Sequence, residues 1–137
     1  MKHCYVLFAL LVTNFCFSQT FDDALAKASK EDKNIILVFA GSDWCAPCIK
    51  LDKEVFQTEV FQKEKANWVM YKADFLKKSK LPVEVKNENS KLADTYNKEG
   101  YFPLVVLLDS KGKVLGKTGY MKATPMEYIK KLYSFIK

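Results

Sequence analysis

The sequence contains no arginine, and all 22 of its basic residues are lysines. Without a planar guanidinium fork, the chain lacks the side chain best suited to bidentate contacts with phosphates and guanine edges. The lysines are also scattered among 16 acidic residues, a mixture typical of a solvated surface. The formal charge of +6 is therefore a weak reason to predict nucleic-acid binding, and we expect no nucleic-acid partner.

Histidine, glycine and proline are also scarce. The single histidine, His3, lies in a segment that we expect to be removed, which would exclude Ser–His and Cys–His catalysis and His-containing metal sites. Five glycines and four prolines exclude collagen-like and low-complexity chains. The 137 residues are 49% hydrophobic, which indicates one folded domain and argues against intrinsic disorder.

The first 18 residues have the pattern of a secretory signal peptide. Lys2 gives a basic start, residues 4–12 are apolar, and Ser18 is a small residue next to the expected cleavage point. This run is shorter than the roughly 20 residues of a membrane span. We expect cleavage after Ser18, a mature domain over residues 19–137, and a periplasmic or secreted protein. An uncleaved anchor and a buried core helix are the alternatives.

Cleavage would remove Cys4 and Cys16 and leave Cys45 and Cys48 in the sequence Cys-Ala-Pro-Cys. Two cysteines cannot hold a disulfide-rich fold together, nor form a tetrahedral zinc site within one chain that has no histidine. In an oxidising compartment the pair is expected to form a disulfide unless something reduces it. We expect no metal and no cofactor.

Hydrophobic spacing predicts alternating helices and strands along the rest of the chain. Apolar residues at helical spacing, or a capping residue, predict helices over 21–31, from near Cys45, over 59–65, over 90–98 and after Thr124. Unbroken or alternating apolar runs predict strands over 35–40, 67–74, 104–109 and 113–119. The fold class is then α/β, with one mixed sheet of about four strands and helices on both faces.

Two details of this prediction concern less regular parts of the chain. Residues 75–90 are rich in lysine and contain Pro82, so we expect an exposed, irregular insertion with at most a short helix. The last helix is expected to bury a stripe of apolar residues, namely Met126, Ile129, Leu132 and either Phe135 or Ile136.

The Cys-x-x-Cys pair follows a predicted buried strand and opens a predicted helix. Unpaired N–H groups and the helix dipole stabilise a thiolate there, so we predict Cys45 as nucleophile and Cys48 as resolving cysteine. Pro47 lacks an N–H, which is harmless in a first helical turn, and its fixed φ stiffens the site. Trp44 would shield the active sulfur and offer an apolar platform to a partner, with ordinary loop packing as the alternative.

Residues 39–48 resemble the active-site segment of the thioredoxin superfamily. Residues 100–105, Gly-Tyr-Phe-Pro-Leu-Val, resemble its cis-proline loop, and residues 109–114 resemble the hairpin that follows. The resemblance covers nearly all of 21–137 and implies a thioredoxin-like fold in which Pro103 is cis and packs against the cysteines. Phe102 would offer backbone groups to an extended substrate, and Ala46 and Pro47 would complete the substrate-binding surface. An ordinary strand-start proline is the alternative for Pro103.

The sequence departs from the family at one position. The family carries a buried Asp six residues before the first cysteine, where this chain has Phe39. Proton transfer at Cys48 would then use water or another group. Asp43 and Lys50 are near in sequence, although both residue types are usually found at the surface.

The residues between the cysteines favour a reducing potential, because Ala46-Pro47 lacks the histidine of strongly oxidising and isomerase relatives. We therefore predict an exported thiol–disulfide oxidoreductase, more a reductase than an oxidase or isomerase, acting as a monomer on disulfide-containing proteins. The resemblance implies a membrane-bound electron donor. The alternatives are a peptide- or partner-binding module with little turnover, a structural disulfide, a metal half-site shared between two chains, and a Cu(I) site.

Overall fold

The computed structural model describes residues 19–137. The expected signal peptide over residues 1–18 lies outside the described residues. No helix within 19–137 combines the length and the hydrophobicity that crossing a membrane requires.

The described chain contains five α-helices, four strands and a short 3-10 helix, Lys65–Asn67. The helices are α1 (Phe21–Glu31), α2 (Ala46–Leu51), α3 (Glu59–Glu64), α4 (Val83–Tyr96) and α5 (Pro125–Tyr133). The strands are β1 (Asn34–Ala40), β2 (Trp68–Asp74), β3 (Leu104–Leu108) and β4 (Val114–Thr118). A π-helical turn, Asp52–Phe56, continues α2.

The strands form one mixed sheet in the order β2-β1-β3-β4. Strand β1 pairs in parallel with β2 and antiparallel with β3, and β3 forms the predicted antiparallel hairpin with β4. Helices cover both faces, as the α/β prediction required, and this explains why the strand at the centre is apolar without alternation.

Alternate residues of β1 divide the core between the two faces. Ile36, Val38 and Ala40 pack with the cysteines and with residues of α3 and α5. Leu37 and Phe39 pack on the opposite face with residues of α1 and α4. The period of two along a strand therefore places the cysteines on one face of the sheet and Phe39 on the other.

Three helices begin at threonine caps. The hydroxyl groups of Thr20, Thr58 and Thr124 each accept a backbone N–H from the first turn of the following helix. Thr124 also forms the predicted capping box with Glu127, and Pro125 occupies the first helical position. These bonds satisfy N–H groups that have no partner within their own helix.

The prediction for residues 75–98 was wrong in its boundaries. Helix α4 begins at Val83, directly after Pro82, and runs for 14 residues instead of covering only 90–98. Its two buried residues are Asn89 and Leu92, so a polar side chain stands where hydrophobic spacing requires an apolar one. Because Asn89 interrupts the hydrophobic spacing, the sequence pattern did not predict the first half of this helix.

The inward face of α5 also differs from the prediction. Ile129 and Leu132 are buried as expected and Phe135, one of the two predicted alternatives, packs partly buried against the same core, but Met126 is 48% exposed. Tyr128 is fully buried beside them, and its hydroxyl donates to the carbonyl of Gly119 at 2.9 Å. The sequence pattern missed this tyrosine because its polar end has a backbone partner inside the core.

Helix α4 is attached to the rest of the domain through Glu88. Its carboxylate accepts the backbone N–H of Phe21 at 2.8 Å and the hydroxyl of Tyr71 at 2.9 Å. Burial, followed by the hydrogen bond to Glu88 and the negative charge of that carboxylate, raises the pKa of Tyr71 well above its usual value. One side chain therefore joins the start of α1, strand β2 and α4.

Replacing Glu88 with Ala removes the acceptor of both bonds and leaves two partly buried donors without a partner. We expect Glu88→Ala to lower the free energy of unfolding by about 1–3 kcal/mol. Asn87→Ala, at an exposed position one residue earlier in the same helix, should change it by less than about 0.5 kcal/mol. Urea denaturation of the oxidised protein measures both, and equal stabilities would contradict this role of Glu88.

Candidate functional site

The cysteines lie where the central strand leaves the sheet and the chain turns into α2. The carbonyl of Gly41 accepts the N–H groups of Trp44, at 3.1 Å, and Cys45, at 2.8 Å. This tight turn places Cys45 at the N-cap of α2 and Cys48 in its first turn. Pro47 occupies one of the first two helical positions, where its missing N–H costs nothing.

The two sulfurs are joined in a disulfide, with the Cα atoms 5.2 Å apart. Each cysteine is only 5% exposed. The backbone N–H of Cys48 donates to Sγ of Cys45 at 3.3 Å, so the sulfur of Cys45 receives a helix N-terminal amide. A hydrogen bond of this kind stabilises a thiolate at Cys45 in the reduced form.

A groove of about 540 Å³ runs beside the pair. The Phe102–Pro103 peptide bond is cis, and both residues line this groove together with Pro47. The structure therefore brings three of the predicted substrate-binding residues together. Ala46 is exposed next to Pro47, but it does not line the groove.

Trp44 is held beside the pair by contacts on several sides. Its indole N–H donates to the carbonyl of Phe75 at 2.7 Å, and its ring meets Phe102 edge-on with the centroids 5.6 Å apart. The ammonium of Lys77 lies 3.9 Å from the indole centroid. A Cβ at Gly41 would collide with the indole, so a residue without a side chain is needed there. The indole is thereby fixed while 36% of Trp44 stays exposed.

Aromatic rings connect Phe39 to Trp44 across the sheet. Phe39 lies 6.5 Å from Phe75, which lies 5.3 Å from Phe102, the ring that also packs against Trp44. Phe39 is fully buried on the face opposite the cysteines. Where the family carries a carboxylate, this chain therefore has the inner end of an aromatic row that supports the site.

Asp43 connects the cysteine turn to the lysine-rich segment 75–82. Its carboxylate accepts three consecutive backbone N–H groups, from Lys77, Lys78 and Ser79, at 2.7–3.0 Å. These bonds, that of Lys77 first, hold the pKa of Asp43 below its usual value. Lys50 is exposed on α2, as the sequence suggested.

Two buried asparagines that the sequence did not single out also support the site. Asn97 donates to the carbonyl of Tyr101 at 2.9 Å and accepts its N–H at 3.0 Å, which braces the loop before Pro103. Asn89 donates to the carbonyl of Asp74, where β2 ends. Asparagine is common at protein surfaces, and these two are buried because their amide groups form hydrogen bonds with the backbone. Composition and hydrophobic spacing therefore did not predict the burial of either residue.

Within residues 19–137, no group of three or more His, Cys, Asp or Glu side chains comes together in a way that could hold an ion.

Comparisons with known proteins agree with this geometry. A family model described as thioredoxin-like matches residues 17–110. Disulfide bond reductase DsbH of Chlamydia pneumoniae is 32% identical over 120 residues, which cover 87% of this chain and 72% of that protein. Thioredoxin-related protein DsbJ of the same organism is 26% identical over 100 residues, 72% of this chain but only 28% of that protein.

Two solved structures superpose on this chain. A structure described as DsbH oxidoreductase superposes with a TM-score of 0.81 at 30% identity, covering 88% of this chain and 83% of that one. A putative disulphide-isomerase from Bacteroides thetaiotaomicron superposes with a TM-score of 0.60 at 22% identity, covering 87% and 89%. At that identity the second match shows the fold alone.

The bonds of Asp43 make the attachment of segment 75–82 dependent on pH. Because its folded pKa is lowered, the attachment is complete above the ordinary carboxyl pKa and is lost as pH falls through the lowered value. We expect the amide proton shifts of Lys77, Lys78 and Ser79 to titrate together in NMR spectra, with a midpoint below that of an exposed aspartate. In Asp43→Asn this acidic transition should vanish. A midpoint at or above the ordinary value would contradict the assignment.

Proposed function

The chain belongs to the thioredoxin-like family, and from this premise we propose that it is an exported thiol–disulfide oxidoreductase that reduces disulfides in proteins. One observation carries the proposal. The Cys45–Cys48 pair opens a helix, and Pro47 between the two cysteines lines the same groove as the cis-proline Pro103. A redox-active pair and a place for an extended substrate thus lie side by side.

Reduction of a substrate proceeds by two exchanges. The Cys45 thiolate attacks one sulfur of the substrate disulfide, which forms a mixed disulfide and releases the other substrate sulfur as a thiolate. The sulfur of Cys48 then attacks Sγ of Cys45, which forms the Cys45–Cys48 disulfide and releases the second substrate thiol. The substrate gains two electrons, the protein loses two, and the oxidised pair in the structure is the product state.

The start of helix α2 supports the proposed division of roles between the two cysteines. Sγ of Cys45 receives the N–H of Cys48, and the positive end of the helix dipole favours a negative sulfur there. Cys48 lies inside the first turn and is positioned to attack Cys45 once the mixed disulfide has formed. Cys45 is therefore the nucleophile and Cys48 the resolving cysteine.

The proton of Cys48 has a different route from that of relatives with the buried carboxylate. Phe39 offers no base, and its ring lies on the opposite face of the sheet. Asp43 uses its carboxylate to bind three backbone N–H groups, and Lys50 is exposed on the surface. We infer that the proton passes to water or to the departing substrate thiolate, which is itself a base.

Export and the direction of exchange follow from separate observations. The pattern of residues 1–18 supports a cleaved signal peptide and a periplasmic or secreted mature protein. The reducing direction is supported by the relative named disulfide bond reductase and by the absence of histidine between the cysteines. A reductase in an oxidising compartment needs a supply of electrons, for which we propose a membrane-bound dithiol donor.

A partner-binding module is the second candidate, and Phe39 is the observation that favours it. Without the buried carboxylate, exchange at Cys48 could be slow enough for binding at the Pro103 groove to be the main activity. A binder would capture its partners even with both cysteines replaced by serine, whereas an enzyme would need Cys45.

Substitution of single cysteines tests the assigned roles. Cys45→Ser should abolish reduction of a model protein disulfide such as insulin, because the attacking sulfur is gone. Cys48→Ala should accumulate mixed disulfides that are seen on non-reducing gels of an extract, since nothing resolves them. A Cys45→Ser protein that reduces insulin at the wild-type rate would disprove the mechanism.

The reduction potential of the pair tests the direction of exchange. We expect a value near or below about −230 mV, in the range of reductases. Equilibration in graded thiol/disulfide buffers, followed by alkylation and mass measurement, gives this value. A potential above about −180 mV would instead place the protein with oxidants or isomerases.

A further inference from the structure

A second pocket, of about 450 Å³, lies beside Trp44 and Phe102. We call it the side pocket. Its apolar wall is formed by five side chains, Trp44, Phe75, Leu76, Leu81 and Phe102. Phe102 also lines the Pro103 groove, so the two cavities share a wall and a polypeptide crossing the cysteines can reach both.

The side pocket combines this apolar wall with positive charge. Lys77 and Lys86 line it, and neither lies within ion-pair distance of a carboxylate of the described chain. Two acidic side chains are close by, but both already have partners. Asp74 accepts the N–H of Ser42 at 2.9 Å, and Asp43 accepts the three amides of segment 77–79. Asp74 lines the pocket and keeps its negative charge, and the Lys77 ammonium also lies over the Trp44 indole. Neither contact neutralises a lysine, so among the described residues both ammonium groups stay outside ion pairs and can meet a carboxylate of a ligand.

An unsatisfied polar atom gives a third and independent indication of a ligand. Asn89 lines the side pocket and is only 2% exposed. Its amide nitrogen donates to the carbonyl of Asp74 at 2.9 Å, but its amide oxygen has no hydrogen-bond partner within residues 19–137. Buried acceptors are almost always paired, so a donor supplied by an occupant would complete this site.

From these observations we propose that the side pocket is a specificity site for the protein substrate. It takes a large apolar side chain, aromatic or branched aliphatic, from a segment that also carries a carboxylate near the disulfide. The apolar side chain packs against Trp44 and Leu81, and the carboxylate meets Lys77 and Lys86. A backbone N–H of the same segment donates to the amide oxygen of Asn89. The inference rests on the proposed function, since the occupant is part of the substrate that Cys45 attacks.

The test uses short peptides, each with one cysteine blocked as a mixed disulfide with 2-mercaptoethanol. One peptide carries Phe and Glu within three residues of the cysteine, one carries Ala and Glu, and one carries Phe and Lys. Each is made with the pair before and with the pair after the cysteine. The reduced protein is mixed with each, and kcat/KM is followed by chromatography of the released peptide thiol.

For the wild type we expect the Phe/Glu peptide to react about tenfold faster than Ala/Glu in at least one of the two orders, as partial burial of one aromatic ring implies. It should also react about fivefold faster than Phe/Lys, a difference that shrinks as salt is added. Leu81→Ser should reduce the preference for Phe. Lys86→Glu should abolish or reverse the preference for Glu.

Matched controls separate the pocket from general effects. Lys91→Glu makes the same charge change on an exposed position of α4 outside the pocket, and Val60→Ser removes an exposed apolar side chain from α3. Both should keep the wild-type preferences. A preference for Phe that persists in Leu81→Ser, or equal rates for all peptides, would overturn the side-pocket inference alone. Failure of the reduced protein to react with any peptide would overturn the proposed function itself.

Discussion

The structure depends above all on how the carboxyl end of β1 is held. Phe75 donates its N–H to the carbonyl of Ala40, the last residue of β1, at 2.8 Å, which extends the pairing of β1 one residue past the end of β2. Ser42 then donates to the carboxylate of Asp74 at 2.9 Å. The chain can turn sharply at Gly41 only because its neighbours on both sides are tied to β2. The position of the Cys45 sulfur is therefore set by the sheet, and the N-terminus of α2 sets the electrostatic environment of that sulfur.

The segments around the cysteines obtain their shape from polar side chains that bind backbone. Asp43 binds three amides, Asn97 binds both polar groups of Tyr101, and Asn89 binds the carbonyl that follows β2. Loops carry many backbone donors and acceptors that no helix or sheet satisfies, so such side chains decide which conformation is stable. The aromatic row from Phe39 to Trp44 fills the space between them.

Patterns that depend on neighbouring residues predicted most of the fold and the centre of the site. The apolar run of β1, the threonine caps and the Cys-Ala-Pro-Cys sequence each encode their structure within a few positions. The features that escaped prediction depend on partners far along the chain. Asn89 and Tyr128 are buried because distant carbonyl groups accept their donors, and Met126 is exposed because α5 turns Tyr128 inward instead. No local pattern contains that information.

The polar attachment of α4 also affects which part of the domain unfolds locally. Leu92 is the one apolar side chain of the helix that is buried, and Ala93 and Tyr96 pack against the core partly buried. Glu88, Asn89 and Tyr96 each bind other elements through one or two hydrogen bonds. A unit held by few apolar contacts separates from the native structure at a lower free-energy cost than the central strands. Local unfolding of α4 would dismantle the wall at Asn89 while β1 and the disulfide stay in place. Substrate selection and electron transfer thus belong to parts of the domain with different local stability.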